Sequence, residues 1–189
     1  NRRQVDALSA LLCTPSEAAD DWLAAEHLPG RVARTGDVAR DVLEFARCAG
    51  TIPVALPGWP LAPGEGYLFA TLHRAELTND ADRLGGAIET LSRLPLPVVI
   101  AVHPRTHHRM TELRIDSGSG SLHVMPPLGY LEALAAVQGA RAVVTDSGGI
   151  QREAYWLGVP CVTLRRETEW VETVSLGANR LVAPDRVRE

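Results

Sequence analysis

The pattern of apolar and polar residues along the chain predicts both strands and helices. Near-continuous apolar runs, rich in β-branched residues, predict strands that are buried on both faces. They lie at residues 67–72, 98–102, 122–125, 142–144 and 159–164, and a further short strand is a candidate at 31–36. Apolar side chains three or four positions apart predict helices between them, at residues 16–27, from Val38 onward, at 79–94 and at 130–137. This order predicts an α/β fold, a doubly wound parallel sheet of Rossmann type with about six strand–helix units.

Predictions can also be made for the beginning of the chain and for one internal segment. Val5, Leu8, Leu11 and Leu12 follow helical spacing, so we expect the chain to open with a helix. Residues 50–66 are rich in proline and glycine and predict an ordered loop. We expect a single domain over residues 1–189.

Polar side chains follow the predicted strands at the points where the strands end. They are His73, Arg74, His103, Ser147 and Arg165. The carboxyl ends of parallel strands meet at one edge of a sheet, where ligands bind in such folds, so these residues predict a binding site. The competing interpretations are an exposed loop pair at residues 73–74 and a capping histidine at 103.

Residues 145–154 (Thr-Asp-Ser-Gly-Gly-Ile-Gln-Arg-Glu-Ala) carry the most specific local pattern. They predict a strand, a tight turn and a helix, and Gly148 and Gly149 allow the backbone to approach a ligand. The unpaired amides of the first helical turn favour a phosphate or diphosphate. Glu153, one turn further on, is placed to accept hydrogen bonds from ribose hydroxyls. The competing interpretation is an ordinary turn in which Ser147 caps the helix and Glu153 is solvated.

Composition narrows the range of partners. The 189 residues carry a formal net charge of -4, so neither nucleic acid nor a membrane is expected as a partner. There is no apolar run of membrane-spanning length and no secretory signal pattern. Cys13, Cys48 and Cys161 are widely spaced, and Cys13 and Cys161 have apolar neighbours in the sequence, which predicts reduced, buried thiols in a cytoplasmic protein. No cofactor and no metal are expected, and His107 and His108 are expected at the surface.

Residues 168–172 form a further candidate. Glu169 and Glu172 are three positions apart, which predicts two carboxylates on one helix face, unless they simply form a solvated helix start. The sequence contains no Gly-x-Ser-x-Gly elbow, Walker loop or Gly-x-Gly-x-x-Gly fingerprint. Hydrolase, NTPase and dehydrogenase functions are therefore disfavoured.

Blocks of residues in a fixed order run through nearly the whole chain. They are Asn1-Arg2 with Asp6, Gly36-Asp37 with Asp41, residues 71–76, Val102-His103-Pro104, Pro127-Leu128 with Tyr130, residues 146–151 with Glu153-Ala154, Leu157-Gly158 with Pro160, Arg165 with Thr168-Glu169, and Glu172 with Gly177 and Leu181-Val182. In this order they resemble the UDP-N-acetylglucosamine 2-epimerase family, which has the two-domain GT-B fold. The resemblance implies that this chain corresponds to the nucleotide-binding half of that fold.

The resemblance also implies roles for the matched residues. The implied UDP-binding residues are Ser147, Gly148 and Gly149 on the diphosphate, Glu153 on the ribose, and Arg165, Leu128 and Tyr130, with residues 126–131 around the uracil. His73 would stabilise the departing UDP as a catalytic residue, and Arg2 matches an active-site arginine. The residues matched to sugar-side or allosteric contacts are Arg74, Glu76, His103, Thr168 and Glu169.

The family reaction, as the resemblance implies it, interconverts UDP-GlcNAc and UDP-ManNAc. UDP leaves and adds back with inversion at C2, without net hydrolysis, and this needs acid–base groups on both faces of the sugar ring. The family's carboxylates lie in the first domain, upstream of the residues that match Asn1-Arg2. We therefore expect this chain to bind UDP but, as an isolated chain, not to epimerise. The expected partners are a UDP-sugar, the missing N-terminal domain and a second copy in a homodimer.

Two positions depart from the family pattern and leave the sugar open. Trp170 stands where the family commonly has arginine, and Leu77 where many members have asparagine. A UDP-2,3-diacetamido uronic acid therefore competes with UDP-GlcNAc as the substrate. Three further functions stay open: a hydrolysing 2-epimerase, the donor domain of a GT-B glycosyltransferase and a non-catalytic domain that senses UDP-sugars.

Overall fold

A computed structural model describes residues 2–113 and 121–186 of the chain. The chain divides into two compact units, Asn1–Ala49 and Gly50–Glu189. The division differs from the predicted single domain over residues 1–189, because the first unit forms a separate two-stranded sheet. It falls at the start of the proline- and glycine-rich segment, residues 50–66, which contains no helix or strand.

The first unit is a short α/β arrangement. Its elements are α1 (Arg2–Leu8), β1 (Leu11–Thr14), α2 (Glu17–Ala25), β2 (Arg31–Arg34) and α3 (Val38–Cys48). β1 and β2 pair in parallel, with Leu11 opposite Arg31.

The predicted opening helix is wrong beyond Leu8. Leu11 and Leu12 belong to β1, in which exposed and buried residues alternate, so the apolar pair follows the strand period of two. Leu11 and Leu12 fall at helical spacing from Val5 and Leu8 only by coincidence, because a turn separates the two pairs. Ser16 caps α2, since its side chain accepts a hydrogen bond from the Ala19 amide.

The second unit contains one six-stranded parallel sheet. Its elements are β3 (Leu68–Thr71), α4 (Ala75–Thr78), α5 (Ala81–Ser92), β4 (Val98–Ala101), α6 (Pro104–Glu112), β5 (Leu122–Met125), α7 (Tyr130–Gly139), β6 (Ala142–Thr145), α8 (Gly148–Trp156), β7 (Cys161–Thr163), α9 (Val171–Ser175) and β8 (Asn179–Leu181). The strand order is β5-β4-β3-β6-β7-β8, and each neighbouring pair is parallel. The predicted doubly wound α/β sheet is confirmed.

Hydrophobic side chains cover both faces of this sheet. Alternate residues of one strand belong to different clusters: Phe69 packs with the α7 and α8 side chains, and Ala70 packs with those of α5. Leu84 of α5 and Leu134 of α7 are both fully buried. This burial on two faces explains why the strands appear in the sequence as continuous apolar runs.

The strand order reverses between β3 and β6. These two strands are neighbours, with Thr71 paired to Thr145, although 70 residues of chain lie between the end of β3 and the start of β6. In open parallel sheets such a reversal opens a crevice at the carboxyl ends of the strands, where ligands bind. His73 and Ser147 each come two positions after the end of one of these strands.

The cysteines differ in their environments. Cys161 is buried on β7, as predicted, and burial raises the pKa of its thiol to about 11. The prediction of buried thiols is wrong for Cys13 and Cys48, which are exposed; Cys13 lies on the outward-facing side of β1. All three are free thiols.

Candidate functional site

Asp146 connects the carboxyl ends of β3 and β6. Its carboxylate, which is almost completely buried, accepts hydrogen bonds from the backbone amides of His73 at 2.9 Å and Arg74 at 2.8 Å. The His73 Nδ1 lies 3.1 Å from the same carboxylate. Arg74 Nε donates to the Asp146 carbonyl oxygen at 2.9 Å. The predicted pair His73-Arg74 is therefore held by one acidic residue from the neighbouring strand.

His73 carries a proton more readily than an ordinary histidine. Its hydrogen bond with Asp146 raises the pKa of the imidazole, partial burial opposes this, and the charge of Asp146 adds to the rise. The side chain is about half exposed (48%), so the other edge of the ring remains open to a ligand. A half-exposed, readily protonated imidazole is suited to contact an anionic group.

Ser147 begins α8 as its capping residue. Its Oγ accepts a hydrogen bond from the Ile150 amide at 3.4 Å, and its own amide donates to Thr145 Oγ1 at 3.0 Å. Ser147 therefore does cap the helix. Capping leaves its binding role open, because Gly148 and Gly149 still present first-turn amides that have no partner within a helix.

Gln151 is a buried residue to which the sequence assigned no role. Its Nε2 donates to the Ser147 carbonyl oxygen at 3.3 Å, and its Oε1 accepts from Thr168 Oγ1 at 2.7 Å and from Asn179 Nδ2 at 3.1 Å. The Thr168 hydroxyl, expected on the sugar side, is thus engaged inside the protein. The signal that could have indicated a contact between Gln151 and Ser147 is their spacing of four positions, which is about one helical turn.

Glu169 lies over the amino end of α8. Its Oε2 accepts from Arg165 Nη1 at 2.7 Å, and its Oε1 is 3.9 Å from Arg74 Nη2. A Cβ atom added at Gly148 would stand only 2.6 Å from Glu169 Oε1, so this carboxylate fills the space that the glycine leaves. Partial burial pushes the pKa of Glu169 upward, but its own backbone amide, Arg165 and Arg74 together hold that pKa below its ordinary value.

The predicted helix face with two carboxylates is wrong. The last helix of this region, α9, begins at Val171, so Glu169 precedes it and only Glu172 belongs to it. Thr168 Oγ1 accepts a hydrogen bond from the Trp170 amide at 3.1 Å, which fixes an extended turn before the helix. This turn directs Glu169 toward α8.

Glu153 and Tyr130 lie close together on α8 and at the start of α7. Glu153 is 9% exposed, and burial raises the pKa of its carboxyl group. Tyr130 is 43% exposed; partial burial and then the charge of Glu153 raise the pKa of its hydroxyl. The two predicted UDP-binding residues therefore share one electrostatic environment.

A cavity of about 500 Å³ opens at the carboxyl ends of β3, β4 and β6. Its lining residues are Phe69, Thr71, Leu72, His73, Ala101, His103, Thr106, Pro127, Leu128, Ala133, Ser147 and Ile150. The predicted residues that meet at this cavity are His73, His103, Leu128 and Ser147. The cavity has apolar walls and a few polar groups at one end, which is typical of small-molecule sites.

Three other residues from the sequence analysis have contacts of their own. Arg2 belongs to the first unit, where it pairs with Asp6 at 2.6 Å and with Glu26. Glu76 is exposed and 3.9 Å from Arg166. Leu77 is 1% exposed within the core, so its departure from the family pattern concerns packing rather than a ligand.

Four arginines cluster beside this edge of the sheet. Arg165 also lines a second cavity, of about 620 Å³, together with Arg166, Arg180 and Arg186. Such a cluster attracts anions to this end of the sheet.

Among the residues that the structure describes, no group of three or more His, Cys, Asp or Glu side chains is arranged to hold a metal ion. Within the same ranges, no helix has the length and apolar character needed to cross a bilayer.

Comparison with known proteins identifies the family. The family profile described as UDP-N-acetylglucosamine 2-epimerase matches residues 1–188, almost the entire chain. The chain belongs to this family. The UDP-N-acetylglucosamine 2-epimerase resemblance seen in the sequence motifs is therefore confirmed.

Individual members of the family show which proteins the chain is similar to. It is 40% identical over 192 residues to a UDP-2,3-diacetamido-2,3-dideoxy-D-glucuronate 2-epimerase of Pseudomonas aeruginosa, covering 98% of this chain and 52% of that protein. It is 38% identical over 127 residues to the UDP-N-acetylglucosamine 2-epimerase of Methanocaldococcus jannaschii, covering 64% of this chain and 35% of that protein. The chain thus spans about half the length of the relative from P. aeruginosa.

A solved structure has the same fold. The crystal structure of the M. jannaschii UDP-GlcNAc 2-epimerase in complex with UDP-GlcNAc and UDP matches with a TM-score of 0.82 at 30% identity. The match covers all of this chain and 55% of that one. The architecture of this chain is therefore that of one half of a GT-B enzyme.

Proposed function

We propose that this chain is the UDP-binding half of a non-hydrolysing UDP-sugar 2-epimerase. The observation that carries the proposal is the meeting of three features at one point, where the strand order reverses. These are the amino end of α8, His73 held by Asp146, and the 500 Å³ cavity between them.

Each part of the nucleotide has a complementary group in the second unit. The diphosphate would bind to Ser147 and to the amides of Gly148 and Gly149, where the helix dipole favours negative charge. Arg165 lies beside this helix end, as its contact with Glu169 requires. The uracil would enter the apolar cavity, where Leu128 is part of the wall.

The ribose would bind to Glu153. A buried carboxylate is costly unless it receives hydrogen bonds, and the raised pKa of Glu153 expresses that cost. Two ribose hydroxyls would supply donors to it. The hydroxyl of Tyr130 is close enough to feel the Glu153 charge, so Tyr130 would lie at the same end of the nucleoside.

His73 would act on the leaving group. When the bond between the sugar C1 and the diphosphate breaks, negative charge grows on the diphosphate, and a protonated imidazole beside it lowers the energy of that charge. Asp146 keeps the ring oriented and its pKa raised. Asp146 is thus a positioning residue for a catalytic histidine. Acid–base groups that we assign to another domain would remove the proton at C2. Arg2 is the expected active-site arginine.

The sugar, the cellular location and the assembly complete the proposal. UDP-GlcNAc is the leading substrate; a UDP-2,3-diacetamido uronate is the second candidate, because it is the sugar named for the P. aeruginosa relative. Arg74, Glu76 and His103 would serve the sugar side or a second UDP-sugar site. We assign the protein to the cytoplasm, where its three free thiols would stay reduced, and to a homodimer.

Thermal unfolding of the chain with added ligands tests the binding half of this proposal. We expect UDP and UDP-GlcNAc to raise the unfolding temperature, since a ligand that binds only the folded state stabilises it. ADP at the same concentration should raise it much less. Equal shifts from UDP and ADP would point to a general anion site and contradict the assignment of the uracil cavity.

The reaction itself is tested on the natural protein that contains this chain together with a domain bearing the acid–base groups. Incubated with UDP-GlcNAc, it should yield UDP-ManNAc. Release of free N-acetylmannosamine and UDP would identify a hydrolysing relative instead. Turnover of the diacetamido uronate alone would select the second candidate substrate.

A further inference from the structure

Trp170 is held rigidly next to the proposed diphosphate site. Its backbone amide donates to Thr168 Oγ1 at 3.1 Å, and its ring stacks under the Arg152 guanidinium, with the Arg152 Cζ 4.2 Å from the ring centroid. Such a stack stabilises both side chains. The hydrogen bond fixes the backbone at Trp170, and the stack with Arg152 fixes the plane of the indole.

The indole Nε1 atom lies at the amino end of α8. Trp170 Nε1 is 3.6 Å from the position that a Cβ atom at Gly148 would occupy, beside the Glu169 carboxylate. The Nε1 atom is shielded from solvent, and no group in the described part of the chain accepts its hydrogen bond. A buried donor without an acceptor costs about 1–3 kcal/mol, and proteins rarely retain one without a reason.

The Glu169 carboxylate already places a negative group at the amino end of α8. It is ionised, it contacts Arg165, and it lies over the first residue of α8. A diphosphate bound to the same helix end would repel this carboxylate and take its place, because two negative groups at one point are unfavourable. Since Glu169 is 40% exposed, it has room to turn outward. Its departure would uncover the Trp170 N–H.

We infer that the Trp170 indole N–H is a further binding group of the proposed UDP site, donating a hydrogen bond to a diphosphate oxygen. The inference rests on the proposed function and adds a residue to it. Trp170 occupies the position where the family commonly carries arginine, so a neutral donor of fixed direction replaces a charged one at this place. In the proposed complex, a diphosphate oxygen accepts the hydrogen bond for which the Trp170 N–H has no acceptor among the described residues.

The substitution Trp170→Phe removes the N–H and keeps an aromatic ring under Arg152. Trp156→Phe is the matched control, because Trp156 is the other tryptophan near Arg152, 5.6 Å from its Cζ, at the far end of α8. UDP, uridine and UDP-GlcNAc are titrated calorimetrically into both variants and the unsubstituted chain. The unfolding temperature of each ligand-free protein is measured alongside.

We expect Trp170→Phe to weaken UDP and UDP-GlcNAc about tenfold or more, as for other hydrogen bonds to charged groups. Uridine affinity should stay within about twofold, and the ligand-free unfolding temperature should stay equal or rise, because the lost N–H has no partner in the empty protein. Trp156→Phe should leave the three affinities unchanged.

Three results would overturn the inference while leaving the proposed function intact. They are unchanged UDP affinity in Trp170→Phe, an equal loss for uridine, and a loss for UDP-GlcNAc without one for UDP, which would place the contact on the sugar. A lower ligand-free unfolding temperature with normal UDP affinity would show a purely structural N–H. Failure of the unsubstituted folded chain to bind UDP would instead remove the proposed function and this inference together.

Discussion

The Asp146 carboxylate holds His73 at two points, the backbone amide at 2.9 Å and the ring Nδ1 at 3.1 Å. One bond fixes the chain as it leaves β3, and the other fixes the imidazole. A carboxylate that directly follows β6 therefore sets the direction of a side chain that follows β3. The proposed leaving-group contact depends on this pairing.

Asp146→Asn should disturb both roles. The amide has one acceptor oxygen, and its NH₂ would face donors, so a buried donor loses its partner. We expect the free energy of unfolding to fall by about 1–3 kcal/mol, measured by urea denaturation. Asp82→Asn on the exposed side of α5 is the control, with a change within about 0.5 kcal/mol. Equal losses for the two variants would show that the carboxylate at 146 is not required.

The raised pKa of His73 predicts a pH dependence with a definite sign. The folded state binds the proton more tightly than the unfolded state, so the added stability is fully present below the ordinary histidine pKa of about 6.5. It is lost as the pH rises through the raised folded value. The difference in unfolding free energy between the unsubstituted chain and His73→Gln should therefore shrink as the pH rises from about 6.5 through the raised pKa of folded His73.

UDP affinity should follow the same titration. If protonated His73 contacts the diphosphate, UDP binding weakens as the pH rises, and His73→Gln removes that pH dependence. His107→Gln, on the exposed surface of α6, should retain it. A pH profile that is identical in His73→Gln and in the unsubstituted chain would place the responsible group elsewhere.

Glu153→Gln should separate stability from binding. Burial raises the pKa of this carboxyl group, so ionisation destabilises the fold, and the cost is fully present once the pH exceeds the raised value. At neutral pH we expect the glutamine variant to be at least as stable as the unsubstituted chain. It should bind UDP several-fold more weakly, because an amide accepts fewer ribose hydrogen bonds.

The matched control is Glu167→Gln, an exposed residue with the same change of charge. It should bind UDP normally, as judged by calorimetric titration. Normal UDP affinity in Glu153→Gln would exclude the ribose role and leave the carboxylate without a binding function.

The two glycines at the start of α8 should respond differently to alanine. A Cβ at Gly149 would meet only Ser147 Oγ at 3.8 Å, whereas a Cβ at Gly148 would stand 2.6 Å from Glu169 Oε1. Gly149→Ala should stabilise the ligand-free chain by up to about 1 kcal/mol through its helix propensity. Gly148→Ala should gain less or lose stability, because it displaces Glu169 from Arg165. Equal urea midpoints for the two variants would contradict the position of Glu169.

Much of the fold could be predicted from the sequence because its signals are local. A run such as residues 98–102 is apolar throughout since β4 is covered on both faces, and Asp80 or Ser147 before a helical pattern marks a cap. The meeting of His73, His103 and Ser147 at one cavity followed from the same reasoning, since parallel strands place their carboxyl ends together. Leu11 and Leu12 show where such a prediction fails: their spacing from Leu8 is helical, but a short turn lies between them and the helix.

The parts that could not be predicted depend on contacts between distant residues. Asp146 meets a backbone amide 73 positions earlier in the chain, and Gln151 meets Asn179, 28 positions later. No local pattern encodes either contact. The direction of Glu169, toward α8 rather than along a helix face, follows from the late start of α9.

Calorimetric titration of UDP and of uridine into the 189-residue chain tests the central claim most directly. We predict one UDP site per chain and a UDP affinity at least about tenfold above that of uridine, because charge-assisted hydrogen bonds at α8 contribute about 1.5–3 kcal/mol each. A folded chain that gives no binding signal with UDP, or that binds uridine as tightly as UDP, would contradict the proposed nucleotide site.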